Sequence, residues 1–331
     1  MPTGRSCRRT GRRSPRSGTK SSVRTDWMTD AGAASGVTLP VRRRSGGRSR
    51  RWLLIACMLG PLLGFMVVFY AVPFAYLAQE SFQSWDGEDE PKAEPTFDYY
   101  KKTFQSSRTS RALTRTFRIS LVSTLIALVI CYPVALLLIR AGPRLRSGML
   151  LVIFISLAAS LIVRNYGWLV VLADQGPLNA LLVGLGFTSR GLRMVYSEGA
   201  TIVALVHYVM PFMILPIYGA LLRIPDSYSE ASISLGAGPW TTLRKVVFPL
   251  SMPGVFGGTI LSFAICMSAF VTPLMLGSPA TAMMSQVAAE QLLVQQNFPW
   301  GSAIVTILTL ATFAVVFAYG WVIRRVMKAD V

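Results

Sequence analysis

The chain has one histidine, His207, and four cysteines in 331 residues. The histidine lies inside a long apolar run, so neither a histidine-based catalytic triad nor a histidine zinc cluster is available. Cys57, Cys131 and Cys266 fall inside long apolar runs and Cys7 in a basic tail, so no pair reads as a disulfide or a metal site. The phosphate-cradling pattern of Gly, four residues and Gly-Lys-Ser/Thr does not occur. That argues against nucleotide hydrolysis by this chain alone. Charge is scarce as well. Only 15% of residues are charged, against 52% hydrophobic, and the hydrophobic ones are gathered into long blocks.

A bilayer core of ~30 Å needs about 20 consecutive apolar residues to be crossed as a helix. Six blocks reach that length: Trp52–Leu77, Ile119–Ile139, Met149–Leu172, Thr201–Leu222, Val255–Leu276 and Ser302–Ile323. None contains Asp or Glu, and only the third contains a formal charge, Arg164. Prolines 61, 73, 133, 211, 216 and 273 lie within them, which membrane helices tolerate when neighbours satisfy the freed carbonyls. The ten-residue alternation of a β-barrel is missing. The fold class expected is an all-α polytopic membrane protein with six transmembrane helices.

Basic loops near span ends stay on the cytoplasmic side. Residues 1–51 carry fourteen Lys/Arg against Asp26 and Asp30, a net +12 of the whole chain's +18. Arg140, Arg144 and Arg146 follow span two, Arg223, Arg244 and Lys245 follow span four, and Arg324, Arg325 and Lys328 close the chain. All four regions fall on one face, so both termini are expected in the cytoplasm, with Glu88-Asp89-Glu90 and the loop from Ala173 to Ala200 opposite. Residues 1–51 have almost no large apolar side chain and are expected to be a disordered basic tail touching anionic lipid. Met28 is an alternative start. Nucleic acid is not an expected partner, because aromatic interleaving and a fold to present the basic groups are both missing. Arg50-Arg51 before an apolar run suggests an export signal, but the run is too long for one, so it reads as an uncleaved first span. The expected partition is thus a tail over 1–51, a membrane domain over 52–325 and a short cytoplasmic tail over 326–331. Outside, Phe97 to Phe104 reads as a short amphipathic interfacial helix, and the apolar loop Gln175–Gly186 as a short helix or a dip toward the membrane.

The cytoplasmic loop over 223–253 is the most patterned surface. Pro225-Asp226-Ser227 offers a helix start, and Tyr228 to Leu235 makes about two turns. Gly236-Ala237-Gly238-Pro239 then breaks the helix. Trp240 to Phe248 restarts it, and Pro249 with Pro253 marks the return to the membrane. Glu230, Arg244 and Lys245 supply charges, and Leu235, Trp240 and Leu243 supply apolar contacts, for a groove in another protein. The plainer alternative is an amphipathic loop lying on lipid.

Glu230-Ala231-Ser232, three residues, Gly236, nine residues and Val246-Val247-Phe248-Pro249 resemble the EAA loop of permease subunits from binding-protein-dependent ABC importers. That pattern is Glu-Ala-Ala, three residues, Gly, nine residues and Ile-x-Leu-Pro. Glu230, Ala231, Gly236 and Pro249 match it, Ser232 replaces alanine, and Val246 and Phe248 are conservative replacements. Arg164-Asn165-Tyr166-Gly167-Trp168, Gly176 to Leu182, Phe270 to Gly277 and Asn297 to Ala303 are similar to stretches of spermidine/putrescine-type permeases. The resemblance covers roughly Arg51 to Arg325. It implies the type I ABC importer permease fold, with the loop, Trp240 and Arg244 included, docked on a cytoplasmic ATPase. It further implies two ATPase copies, a second homologous permease and an extracytoplasmic solute-binding protein. ATP and Mg would be held by the partner ATPase and no cofactor by this chain. Such a chain sits in a prokaryotic plasma membrane.

Six residues are candidates for the translocation pathway. Arg164 lies ~22 Å from the cytoplasmic start of its span at ~1.5 Å per residue, where a cation is either a gate or pathway group or an anchor that snorkels outward. A carboxylate such as Asp174 is a natural partner. His207 and Tyr208 precede Pro211 and either line a cavity or bond a neighbouring helix. Asn165, Tyr166 and Trp168 share that ambiguity, since an interfacial aromatic belt accounts equally for the last two. The competing class, a gradient-driven carrier working without an ATPase, is expected to carry paired intramembrane acids, and the spans have none.

Overall fold

The computed structural model describes residues 47–85, 95–188 and 191–329. Most of the basic tail, the acidic run at Glu88 and Cys7 lie outside those residues. In chain order the helices are α1 (Gly47–Met66), α2 (Val72–Glu80), α3 (Asp98–Gln105), α4 (Ser107–Arg140), α5 (Pro143–Ala158), α6 (Leu161–Leu172) and α7 (Pro177–Gly184). They continue as α8 (Glu198–Leu221), α9 (Asp226–Ser234), α10 (Pro239–Thr242), α11 (Phe248–Met267), α12 (Val271–Leu276), α13 (Met284–Ala289) and α14 (Phe298–Ala329). Five helical stretches are long and apolar enough to cross a membrane: Cys57–Glu80, Ser107–Arg140, Glu198–Leu221, Pro239–Met267 and Phe298–Ile323. The pair α5 and α6–α7, bent by 102°, makes a sixth if counted as one span. Near Phe97 the expected short helix is α3, and of the two alternatives for Gln175–Gly186 the chain takes the short helix, α7.

Two expected spans are corrected. The block Met149–Leu172 is not one rod: Ala159 and Ser160 take extended backbone angles and divide it into α5 and α6. Hydropathy cannot see this break, since Ala159-Ser160 is as apolar as many helical pairs. The block Val255–Leu276 likewise stops at Met267, and α12 is a separate short helix. There Pro273 is the third residue of α12, where a missing N–H costs no helical bond.

The prolines expected to mark the return to the membrane lie within a continuous helix. Helix runs unbroken from Pro239 to Met267 through Pro249 and Pro253. A π-turn at Leu243–Val247 comes just before Pro249, and the Phe248 N–H donates to the Leu243 carbonyl. Val67–Ala71 repeats the device before Pro73, with the Val72 N–H donating to the Val67 carbonyl. The wider turn shifts the carbonyl ladder where a proline ring would otherwise collide with it.

The core is built by α4, α8 and α11, with Cys131, Leu205, Met213, Ile217 and Cys266 among its fully buried side chains. Helix α11 approaches α8 through Gly254 and Gly258, spaced as in Gly-x-x-x-Gly membrane contacts. A Cβ on Gly254 would overlap that of Ala220 and lie 2.5 Å from the Pro216 carbonyl oxygen; one on Gly258 would lie 3.0 Å from the Met213 oxygen.

At the opposite end, α4 starts well before the expected Ile119 and carries arginines into ion pairs. Arg115 Nε donates to Glu198 at 2.8 Å and its Nη1 to the Ala282 carbonyl at 3.2 Å. Arg118 pairs with the same Glu198, and Arg108 grips Glu290 at 3.1 and 2.5 Å. These pairs fasten α4 to the start of α8 and to the segment leading into α14.

Candidate functional site

The elbow begins at α9, whose Asp226 sits in the first turn, where negative charge is favoured by the helix dipole. Its end is a Schellman turn. Gly236 has φ +83°, its N–H donates to the Ile233 carbonyl at 2.9 Å, and the Ala237 N–H donates to Ser232 at 3.1 Å. Glycine takes this left-handed angle without the steric cost of a Cβ. Gly238 is extended, and Pro239 opens the next helix, where no backbone donor is needed. The two arms are tied by Ser232 Oγ and Thr242 Oγ1 at 3.0 Å. Alanine at 232 could not make this bond, so the departure from Glu-Ala-Ala has a structural use.

Glu230, Ala231, Gly236, Trp240, Arg244 and Pro249 are exposed and Val246 is half-buried. Leu235 is 89% and Trp240 73% exposed, two large apolar groups beside the charges of Glu230 and Arg244. The arrangement offers a stiff, two-armed projection with apolar tips. Its second arm continues into α11, where Tyr132 of α4 steadies it by a 3.1 Å contact with Ser251 Oγ and a 5.5 Å ring contact with Phe248.

The six pathway candidates separate into a fastened set and one outlier. Arg164 does not reach Asp174. Its guanidinium donates to the Ser156 carbonyl and, at 3.3 Å, to that of Ala159, while its carbon centre lies 5.4 Å from the Tyr208 ring. The expected Asp174 pairing is therefore corrected: the cation answers the carbonyls left open where α5 stops, a need that arises only from the bend. Trp168 Nε1 donates to His207 Nδ1 at 3.1 Å. Asn165, fully buried, exchanges bonds with Thr272 of α12 at 3.2 and 3.3 Å. Arg164 and Trp168 thus hold one side of α6 to α8, and Asn165 holds it to α12. Thr272 was missed in the sequence because its partner lies 107 positions away. Tyr166 is 63% exposed and faces a different cleft. His207 also borders a groove of about 600 Å³ with Ser156, Met210, Pro211 and, at one end, Arg144.

Asn165→Leu is expected to lower stability by about 1–2 kcal/mol, because it leaves the Thr272 hydroxyl unpaired in a dry site. Thermal unfolding of the purified protein, compared with wild type, checks this; an unchanged midpoint would discount the tie.

Relatives with the same layout are known. The Haemophilus influenzae protein named spermidine/putrescine transport system permease protein PotB is 28% identical over 258 residues, 78% of this chain and 90% of that one. Its namesake from Escherichia coli K12 is 26% identical over 274 residues, 83% and 99% of the two chains. A chain of a bacterial ABC transporter that imports the acidic polysaccharide alginate superposes with a TM-score of 0.70 at 18% identity, over 84% of this chain and 96% of that one. The family described as binding-protein-dependent transport system inner membrane component matches residues 121–328. Since that match takes in the elbow, both halves of the bent span, α8, α11 and the latter part of α4 together, the chain belongs to this family of multi-pass inner-membrane components.

Proposed function

We propose that this chain is the permease subunit of an ATP-driven importer whose solute is a small organic cation of the polyamine class. The observation that carries the coupling role is the elbow: an exposed helix–turn–helix, locked by Gly236 and continuous with a core helix. Membership of the family makes ATP hydrolysis the work of a partner subunit, and among relatives the E. coli and H. influenzae permeases are named for spermidine and putrescine. On this reading Glu230, Ala231, Gly236, Trp240, Arg244, Val246 and Pro249 form the surface seated in an ATPase cleft, one of two copies. ATP and Mg bind there and not on this chain. A second, homologous permease completes the passage, and an extracytoplasmic binding protein loads it. The termini and the elbow lie in the cytoplasm, as the distribution of basic residues supports. Arg164, Asn165 and Trp168 act as supports of the bent span, and His207 and Tyr208 of α8 as part of the passage wall.

Co-purification from native membranes, followed by mass spectrometry and an uptake assay with labelled spermidine, tests the proposal. An ATPase is expected to accompany the wild-type chain and to be lost when Glu230 and Gly236 are both substituted. Recovery of the chain alone, transporting without ATP, would overturn it.

A further inference from the structure

A second site lies beyond α6, at the end of the molecule opposite the elbow. Tyr166, Leu169 and Val170 of α6, with Ala173, Asp174, Arg193, Val195, Tyr196 and Ser197, surround a cleft of about 850 Å³. That volume is within the usual range for small-molecule sites. Tyr166 and Tyr196 line it and are 63% and 64% exposed, so neither ring is buried by the rest of the chain. Among the described residues no group pairs with the Asp174 carboxylate.

The walls of this cleft are fixed from behind by one side chain. Asn179, 2% exposed, donates from Nδ2 to the Ala173 carbonyl at 3.0 Å and to the Leu192 carbonyl at 2.9 Å. Its Oδ1 accepts the Leu192 N–H at 2.8 Å. Each backbone group it grips is next in sequence to a charged member of the cleft, Asp174 in one case and Arg193 in the other. Glycines close the same joint: a Cβ on Gly176 would lie 2.5 Å from the Val170 carbonyl oxygen, and one on Gly191 2.6 Å from that of Asp174. Tyr196 is held at φ +59°, an angle that costs a bulky residue energy. The adjoining Ser197 keeps it there, accepting the Ala200 N–H and donating to the Met194 carbonyl at 2.6 Å. An unpaired carboxylate on a fixed backbone and a strained tyrosine in one preformed cleft are the makings of a binding site rather than of packing.

We propose that this cleft is a way-station for one ammonium end of the solute, with Asp174 as counter-ion and the Tyr166 and Tyr196 rings as cation–π partners. The inference rests on the organic-cation reading given above and names the recognising residues. Arg193, which lines the same cleft, keeps a second positive charge away, so a diamine is held by one end and stays free to move on.

The test uses cells that carry the complete importer and take up labelled putrescine and spermidine. Asp174→Asn is expected to cut uptake of both by about tenfold or more, the loss of one charge-assisted contact, at unchanged abundance in the membrane. Asp174→Glu is expected to restore part of it, which a merely structural role would not predict. Tyr166→Leu, at an exposed position, is expected to cost about two- to fivefold, and serves if the Asp174 variants fail to accumulate. Arg193→Gln, which removes the repelling charge from the cleft, is expected to raise uptake at low amine concentration by about two- to fivefold; a fall would mean a solute carrying an anionic group and would overturn the assignment. Amine uptake unchanged by Asp174→Asn or, where that variant does not accumulate, by Tyr166→Leu would remove the way-station and leave the polyamine reading standing. No amine uptake by the wild type would remove both.

Discussion

Glu230→Lys is expected to leave the chain folded in the membrane and to reduce ATP-driven uptake by about a hundredfold or more. The side chain is exposed, and among the described residues its carboxylate makes no ion pair, so reversing its charge removes nothing that holds this chain together. Any loss must then come from a surface outside it. Like charges forced together at an interface cost several kcal/mol, and every 1.4 kcal/mol is tenfold in affinity. Uptake measured beside the amount of chain in the membrane separates the two effects. Normal uptake in this variant would remove the elbow as the docking surface. The conservative Glu230→Gln change, which loses the charge without reversing it, is expected to fall in between.

The Gly254→Val variant is expected to fail at an earlier stage, with little or no protein recovered from membranes. Even a single methyl group at 254 would meet the Ala220 Cβ and the Pro216 carbonyl, both on α8. Neither is the flexible end of a long side chain. The helices would have to separate, and the contacts of the α4, α8 and α11 core with them. Overpacking typically costs about 1–3 kcal/mol where neighbours can shift, and here backbone faces backbone, so the cost is expected at or above the top of that range. Gly257→Ala provides the control. Its Cβ would meet only the Pro216 Cβ, at 3.8 Å, an ordinary contact. Equal yields of the two variants would show that the close approach is not needed.

What could be read in advance depended on whether the signal was local. The apolar runs announced the helices because length alone decides whether a helix crosses a bilayer. The turn at Gly236 was legible because glycine at the end of a helix and proline at the start of the next act within six residues. The breaks after Ala158 and Met267 were not. Neither has glycine or proline at the point of interruption, and what stabilises them comes from elsewhere: the Arg164 guanidinium on open carbonyls, and Asn165 on Thr272. Arg164 stood out as an intramembrane charge, but its partner could not be guessed while the carbonyls it serves were thought to be inside a continuous helix. The cleft at Asp174 escaped for a similar reason. Asp174 and Arg193 are 19 positions apart by number, and only the fold of Asn179 between them brings their neighbours to one amide group.

The stretch Pro239–Met267 is 29 residues long, about 43 Å at 1.5 Å per residue, and has no break despite its prolines. It is a strut. A thrust received at Trp240 would pass along it to Met267, beside the short α12 that Thr272 fastens to α6. On the docking reading, a cytoplasmic motor would in this way have a mechanical line to the far half of the bent span.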